Sequence, residues 1–453
     1  MNALPDAPVA AGLRVGRSAR PWKRALGWLA FLGPFFFLSY GLSNWLTSLR
    51  ADVPSFHFDW ERSIPVVAWH ILPYMSIDLL FAVSMFVCTS RRELDQHAKR
   101  IVLAIVVSVV CFQLVPLKFG FPRPTLPGLF GAIHGAFTAL DKPYNQAPSL
   151  HISLLLLMWV VYARHLAQPW MAILHVWFVL IGVSTLTTYQ HHFIDIITAL
   201  PVTALCFYAF PDGDTPAWQS APNPRLARYY AGAAVVLVAA FLLIPAAYGW
   251  LLGWVVLALV LLVLAYLGWG AQVFRKSADG IQHWSARWLL LPYLAVNAWS
   301  HRYYARRIAL HDEILPGLWL GRRLTAAEAK RFIARYGQPT TIDLAPEFSE
   351  VGPLRSACYH CLSVLDFTLP SSALLAHGIT LIDQALAHGP VFVHCKLGLQ
   401  RSALLCAAYL IASGRCRDPV AAVEWLAEKR AGVALLEGHQ ELLQAVTNPY
   451  PPT

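Results

Sequence analysis

This chain of 453 residues predicts a multi-pass α-helical membrane bundle of about eight spans followed by an α/β domain. Three observations carry that expectation. Hydrophobic residues make up 57% of the chain and charged ones 13%, about half the charged share of a soluble protein. The apolar residues are concentrated in runs long enough to cross a bilayer, the last ending near Gly268. From about Ile314 the composition becomes that of a soluble domain in which strand-like and helix-like patterns alternate.

Residues 1–25 are small, polar and basic, with Arg14, Arg17 and Arg20 and no periodicity, and are expected to be a disordered lead-in. Leu26–Leu46 is too long for a signal peptide, and no small-residue cleavage site follows it, so it reads as the first span. Further runs lie at Val66–Cys88, Ile101–Leu117, Leu150–Tyr162, Met171–Leu186, Phe193–Phe210, Tyr230–Tyr248 and Leu251–Gly268, giving a membrane domain over 26–270. Basic residues fall on alternate loops: Arg14 to Arg24, Arg91-Arg92 with Lys99-Arg100, Arg164, Arg225 with Arg228, and Arg275-Lys276. Those loops are expected to be cytoplasmic, with both termini inside, in a plasma or inner membrane. The net charge of +10 follows from these loops, and no nucleic-acid-binding motif accompanies it. Eight cysteines are divided between apolar runs and the C-terminal region, which excludes a secreted disulfide framework. Cys358 and Cys361 have no second ligand pair at zinc spacing, so neither a metal nor another cofactor is implied.

Residues 271–311 form a linker. Trp284–Trp299 is aromatic, apolar and interrupted by Pro292, and basic residues follow it. It reads either as an interfacial helix or as part of the next domain's core. Within 312–447, Leu318–Gly321, Thr341–Leu344 and Cys361–Leu365 read as strands, and Ser371–Ala387 reads as a helix. Thr325 with Glu328 makes a capping box for a helix reaching Tyr336. A short tail, 448–453, closes the chain.

The stretch Gly389–Ala403 carries the chemistry. Val391–Val393 reads as a buried strand and Ser402–Ala412 as a helix, which leaves Cys395 to Arg401 on the turn between them. A loop closing onto a helix N-terminus gathers backbone N–H groups into an anion cradle. Gly398 allows the turn, and the same positive field makes Cys395 a thiolate nucleophile. Arg401 can fork onto phosphate oxygens, Ser402 can stabilise the leaving thiolate, and Lys396 adds charge for an anionic substrate. This His-Cys-x-x-Gly-x-x-Arg-Ser pattern resembles the signature of the cysteine-dependent phosphatases, most closely the dual-specificity family. The resemblance implies phosphomonoester hydrolysis with Asp366 as general acid, Asp343 being the rival. His394 is expected to orient the loop.

A second constellation interrupts the apolar runs: Lys118 with Arg123, Ser149 with His151, and Ser184 through His191 and His192 to Asp195. The loop charges place all three at the outer end of their spans. Lys118, Arg123, Ser149 and Ser184 are candidate phosphate contacts. His191 has Asp195 four residues on, the spacing at which a carboxylate fixes a histidine tautomer, and His151 can protonate a leaving group. Together they supply phosphoryl transfer through a phosphohistidine. These residues resemble the three motifs of the type 2 phosphatidic acid phosphatase superfamily, in the form of its inositol phosphorylceramide and sphingolipid synthase branch. The Lys118-to-Arg123 gap is shorter than the superfamily's by two, and Thr185 stands where it commonly has Arg, so head-group transfer is open beside hydrolysis. His192 is expected to be a neighbour, and Asp78 an inter-helix hydrogen-bond partner.

The function expected is a bifunctional membrane phosphatase acting on phosphorylated lipids, phosphoproteins or both. The alternative is an active cytosolic phosphatase on an inert anchor or lipid-binding bundle. A transporter is disfavoured, because the polar groups gather at one face instead of running through the bilayer.

Overall fold

The computed structural model describes residues 20–213, 220–243, 246–356, 358–435 and 438–447. Residues 1–19 of the expected lead-in and the tail 448–453 lie outside them. The chain divides into two compact units, Met1–Cys206 and Phe207–Thr453.

The first unit is helical: α1 (Trp22–Ser48), α2 (Ile71–Val87), α3 (Arg91–Leu114), α4 (Gly128–Leu140), α5 (Leu150–His165), α6 (Trp170–Thr187) and most of α7 (Phe193–Ala209). Among the described residues the expected apolar runs are mostly helical, but the run Tyr230–Tyr248 takes in the end of one helix, Pro224–Leu243, and the start of the next, Ala246–Leu264. Five described segments are long and apolar enough to cross a membrane: Trp22–Ser48, Ala68–Val87, Arg91–Leu114, Trp170–Thr187 and Leu252–Phe274. α5 and α7 are apolar but shorter. The unit has two chemically different ends. At one, Arg24 on α1 pairs with Asp95 on α3 at 2.5 Å, and His165 at the end of α5 meets Glu93 at 2.7 Å. At the other, the N-termini of α5 and α7 are joined by Ser149 N–H donating to the Asp195 carbonyl at 2.9 Å.

The second unit opens with two packed helices, α8 (Pro224–Leu243) and α9 (Ala246–Leu264), then α10 (Trp284–Leu289) and α11 (Leu291–Ala305). Pro292 sits in the first turn of α11, where its missing N–H costs nothing, so it begins a helix here. α11 buries Asn297 and His301 and leaves Val296 and Trp299 exposed, which gives it one face toward protein and one apolar face outward.

The α/β part is a five-stranded sheet in the order β1 (His311–Leu315), β2 (Leu318–Arg322), β5 (Val391–Cys395), β3 (Thr340–Asp343), β4 (Tyr359–Cys361). All pairs are parallel except β1 with β2. β5 is central and buried along its whole length, as a strand covered on both faces must be. Val391 and Val393 face a core shared with α13 (Ser372–Leu386) and α14 (Arg401–Ala412). Phe392 points the other way, to Trp319 and to Phe332 of α12 (Ala326–Tyr336). The Thr325–Glu328 capping box is formed. α15 (Pro419–Lys429) and α16 (His439–Thr447) complete the domain.

Two local expectations change. The expected strand Cys361–Leu365 has its regular ladder earlier, at Tyr359–Cys361, although Leu362 N–H still donates to the Asp343 carbonyl at 2.9 Å and Val364 N–H to that of Leu344 at 3.1 Å. Lys276, counted from the sequence as a loop charge, is 4% exposed, and its ammonium lies 2.5 Å from Asp343 Oδ2. Its other acceptor is the Ala345 carbonyl at 2.8 Å. Truncating this lysine strands a buried carboxylate, so Lys276→Met should cost roughly 3–5 kcal/mol of stability. Thermal denaturation of the whole protein in detergent should show that loss, with partial recovery in Lys276→Met/Asp343→Leu.

Candidate active sites

The cysteine site is built where β5 ends. Strands pairing in parallel point their C-terminal ends one way, and the loop leaving β5 closes at once onto the N-terminus of α14. Gly398 has φ +72°, and a Cβ there would stand 2.3 Å from the Gly321 carbonyl oxygen, so only glycine fits. Its N–H donates to Cys395 Sγ at 3.3 Å, and the Ser402 hydroxyl donates to the same sulfur at 3.2 Å. Burial pushes the Cys395 thiol up, but the Arg401 guanidinium and the Ser402 hydrogen bond outweigh it and hold the pKa below its ordinary value. These contacts favour the thiolate over the thiol.

Arg401 is buried and aimed by a residue that sequence reasoning missed. Glu347 receives both of its terminal nitrogens, Nη2 at 2.6 Å and Nη1 at 2.9 Å, and the Val364 carbonyl takes a further bond from Nη1 at 2.9 Å. Arg401 Nε faces Asp366 Oδ1 at 3.4 Å. Burial would lower the guanidinium pKa, but Asp366 and Glu347 raise it well above its ordinary value, so the charge is permanent. The two aspartates differ in setting. Asp366 is 30% exposed beside the guanidinium. Asp343 is buried; it pairs with Lys276 and accepts from the Tyr359 hydroxyl at 2.8 Å and the Ala345 N–H at 2.8 Å.

Arg430 ties the loop from behind, donating to the carbonyls of Gly398 at 2.8 Å and Leu397 at 2.9 Å while pairing with Asp312 at 2.6 Å. Nothing in the spacing of Arg430 marked it. Lys396 does not stand free over the nucleophile: its ammonium bonds Asn297 of α11 and lies 3.4 Å from Ser300 Oγ.

His394 lies beneath the loop, 2.9 Å from Glu350 Oε2 and 3.9 Å from Asp343 Oδ1. The donor atoms of Asp343, Glu350 and His394 lie within 4.8 Å of one another, a spacing that suits a metal cage. Lys276 already supplies the cation there. Burial lowers the His394 pKa, but the two carboxylates prevail and raise it to about 8. Folding thus favours the protonated imidazole. This contribution is complete below pH 6.5 and is lost as pH rises through about 8. Thermal stability in detergent should fall across that window, and His394→Gln should remove this part of the slope.

The histidine site lies where α6 ends and α5 and α7 begin. His191 Nδ1 is 3.2 Å from Asp195 Oδ2, an oxygen that also accepts the His192 N–H at 2.8 Å. With Nδ1 facing Asp195, Nε2 is the nitrogen of His191 turned away from the carboxylate. His151 stacks on Tyr74 with ring centroids 4.2 Å apart. Both histidines line a cavity of about 450 Å³ walled by Phe36, Phe37, Trp45 and Met75. Asp78, Asp141 and Lys142 also border it. Arg123 donates to the Asp141 carbonyl at 3.0 Å and to Gln190 Oε1 at 3.0 Å, gripping the loop before His191. His192 is fixed on both nitrogens: Nε2 accepts the Gly120 N–H at 2.9 Å, so Nδ1 donates to Glu61 at 2.9 Å. Glu61 carried no sequence signal, being far from every motif.

Five candidates stand apart from the cavity wall: Arg123 and Asp195, whose partners are given above, and Ser149, Ser184 and Lys118. Ser149 caps α5 by accepting the Ile152 N–H at 3.3 Å, and Ser184 donates to the Ile181 carbonyl of its own helix at 2.6 Å. The Lys118 side chain is exposed.

Comparison with known proteins assigns families to both regions. Residues 97–213 match the family model of the PAP2 superfamily, and residues 356–448 match that of the dual specificity phosphatase catalytic domain. The chain carries a phosphatase domain of each kind. It is a phosphoric monoester hydrolase with a lipid-phosphatase-like region. No curated protein matches. Among solved structures, PTPMT1 in complex with PI(5)P is 22% identical, covering 31% of this chain and 96% of its own, with a TM-score of 0.29. Tk-PTP in the active form is 20% identical, covering 31% and 98%, with a TM-score of 0.29. Human DUSP28 is 23% identical, covering 31% and 95%, with a TM-score of 0.27.

Proposed function

We propose that the chain is a bifunctional membrane phosphatase, with a cysteine site in the cytosol acting on phosphorylated proteins or lipids and a histidine site at the outer face acting on lipids. The observation that carries the first activity is the coordination of Cys395 Sγ by Gly398 N–H and Ser402 Oγ beside the Arg401–Glu347 pair. The thiolate attacks phosphorus, the P–O bond to the leaving group breaks, and Asp366 delivers a proton to the departing oxygen. Water, losing its proton to Asp366, then releases phosphate from the phosphocysteine, while Arg401 and the loop amides hold the equatorial oxygens. Cys395→Ser should lower turnover of 4-nitrophenyl phosphate at least on the order of a thousandfold in protein that also carries His191→Ala. Undiminished turnover would refute the assignment.

At the second site His191 Nε2 attacks the lipid phosphate, and His151 protonates the leaving oxygen. The phosphohistidine passes to water or to an alcohol. The aromatic and aliphatic lining of the cavity suits acyl chains. About eight spans with the basic loops inside fit the gathering of Arg24, Arg91, Arg92 and Arg164 at the end opposite His191. The exposed Val296 and Trp299 of α11 suit the interfacial zone of a bilayer.

One observation favours the rival reading of a bundle without chemistry: Arg123 is committed to protein acceptors. Full-length Cys395→Ser protein incubated with phosphatidic acid decides between them. Release of phosphate or head-group transfer that His191→Ala abolishes supports the histidine site, and products unaffected by His191→Ala leave only the anchor.

A further inference from the structure

The loop that carries Asp366 is not free-standing. Its backbone takes a conformation that an aromatic residue resists: Phe367 has φ +56°, and its ring is 53% exposed, so side-chain packing does not compel the left-handed turn. Within the loop, the Thr368 hydroxyl donates to the Leu365 carbonyl at 2.9 Å. Besides the contact of Asp366 with Arg401, backbone and side-chain bonds come from far away in sequence, from the peptide that leads into α8.

Ser220 forms an antiparallel bridge with Pro370. Ala221 N–H donates to the Leu369 carbonyl at 2.8 Å, and Asn223 Nδ2 donates to the carbonyl of Phe367 itself at 2.8 Å. Asn223 is in turn held from two sides. Its N–H donates to the Tyr266 carbonyl, just past α9, at 2.9 Å, and its Oδ1 accepts the Leu226 N–H in the first turn of α8 at 3.0 Å. The Tyr266 ring stacks on Tyr230 of α8 with centroids 5.7 Å apart. One amide side chain therefore links the α8–α9 pair to the strained residue beside the carboxylate.

We infer that Asn223 is a positioning residue for the general acid: the α8–α9 helices, through this side chain and the Ser220–Ala221 backbone, set where Asp366 stands over the cysteine site. The inference rests on Asp366 being the general acid. The helices thus do more than tether the phosphatase, because the protonating half of its chemistry is braced on them.

The two functions of Asn223 can be separated. Asn223→Asp keeps an oxygen to cap α8 but has no donor for the Phe367 carbonyl, and Asn223→Gly removes the donor without added charge at a cap position that tolerates glycine. Each is made in full-length protein carrying His191→Ala, so that only the cysteine site is read. Protonation of the leaving group matters for phenyl phosphate and much less for 4-nitrophenyl phosphate, whose phenolate departs unaided. Both Asn223 variants should lose about tenfold in kcat on phenyl phosphate and less than about twofold on 4-nitrophenyl phosphate, with KM unchanged. An equal loss on both substrates, or none on either, overturns the inference. Asp366→Asn, measured alongside, isolates the parent reading. If Asp366→Asn discriminates between the substrates and the Asn223 variants do not, the brace alone fails. If Asp366→Asn does not discriminate, the acid assignment falls and the brace with it.

Discussion

A buried guanidinium, Arg401, is the charge around which the cysteine site is arranged. Taking a cation out of water is costly unless partners meet it, and Glu347 meets it with two hydrogen bonds while the Val364 carbonyl supplies another. Once fixed, the cation offsets the penalty of burying a thiolate at Cys395, and it draws Asp366 to 3.4 Å. Nucleophile and proposed acid are thus held by the same group. The substrate phosphate, carrying its own negative charge, completes a site whose positive field is already in place.

Beneath that site lies a second buried network, Lys276, Asp343, Glu350, His394 and the Tyr359 hydroxyl. Its position under the loop makes it a floor that joins β3 and β5, since Asp343 and His394 occupy paired positions on those strands. Lys276 comes from the chain just beyond the last apolar helix. The α/β domain is consequently completed by residues N-terminal to its first strand, and α11 contributes Asn297 to Lys396 in the same way.

The histidine site follows a different logic. In an apolar surrounding its histidines are oriented by neutral or singly charged partners, one nitrogen at a time. Asp195 aligns His191, Tyr74 stacks on His151, and Glu61 with the Gly120 N–H closes off both nitrogens of His192. Adjacent histidines in the sequence are in this way given separate work by their partners.

Local spacing alone determined much of this protein. The Cys395–Ser402 turn, the His191–Asp195 pair, the capping box at Thr325 and the apolar helical character of the N-terminal region were legible because each depends on residues within one turn or one strand of each other. The partners that aim those groups were not legible. Glu347, Arg430, Lys276, Glu61 and Asn223 act across separations in sequence that no periodicity records, and each looked like an ordinary loop or surface residue. Lys276 was read as a cytoplasmic loop charge for that reason, although folding buries it against Asp343. A sequence states which chemistry a short segment can perform. Only the tertiary structure decides which distant charge or hydrogen-bond donor is brought near enough, and kept dry enough, to orient it.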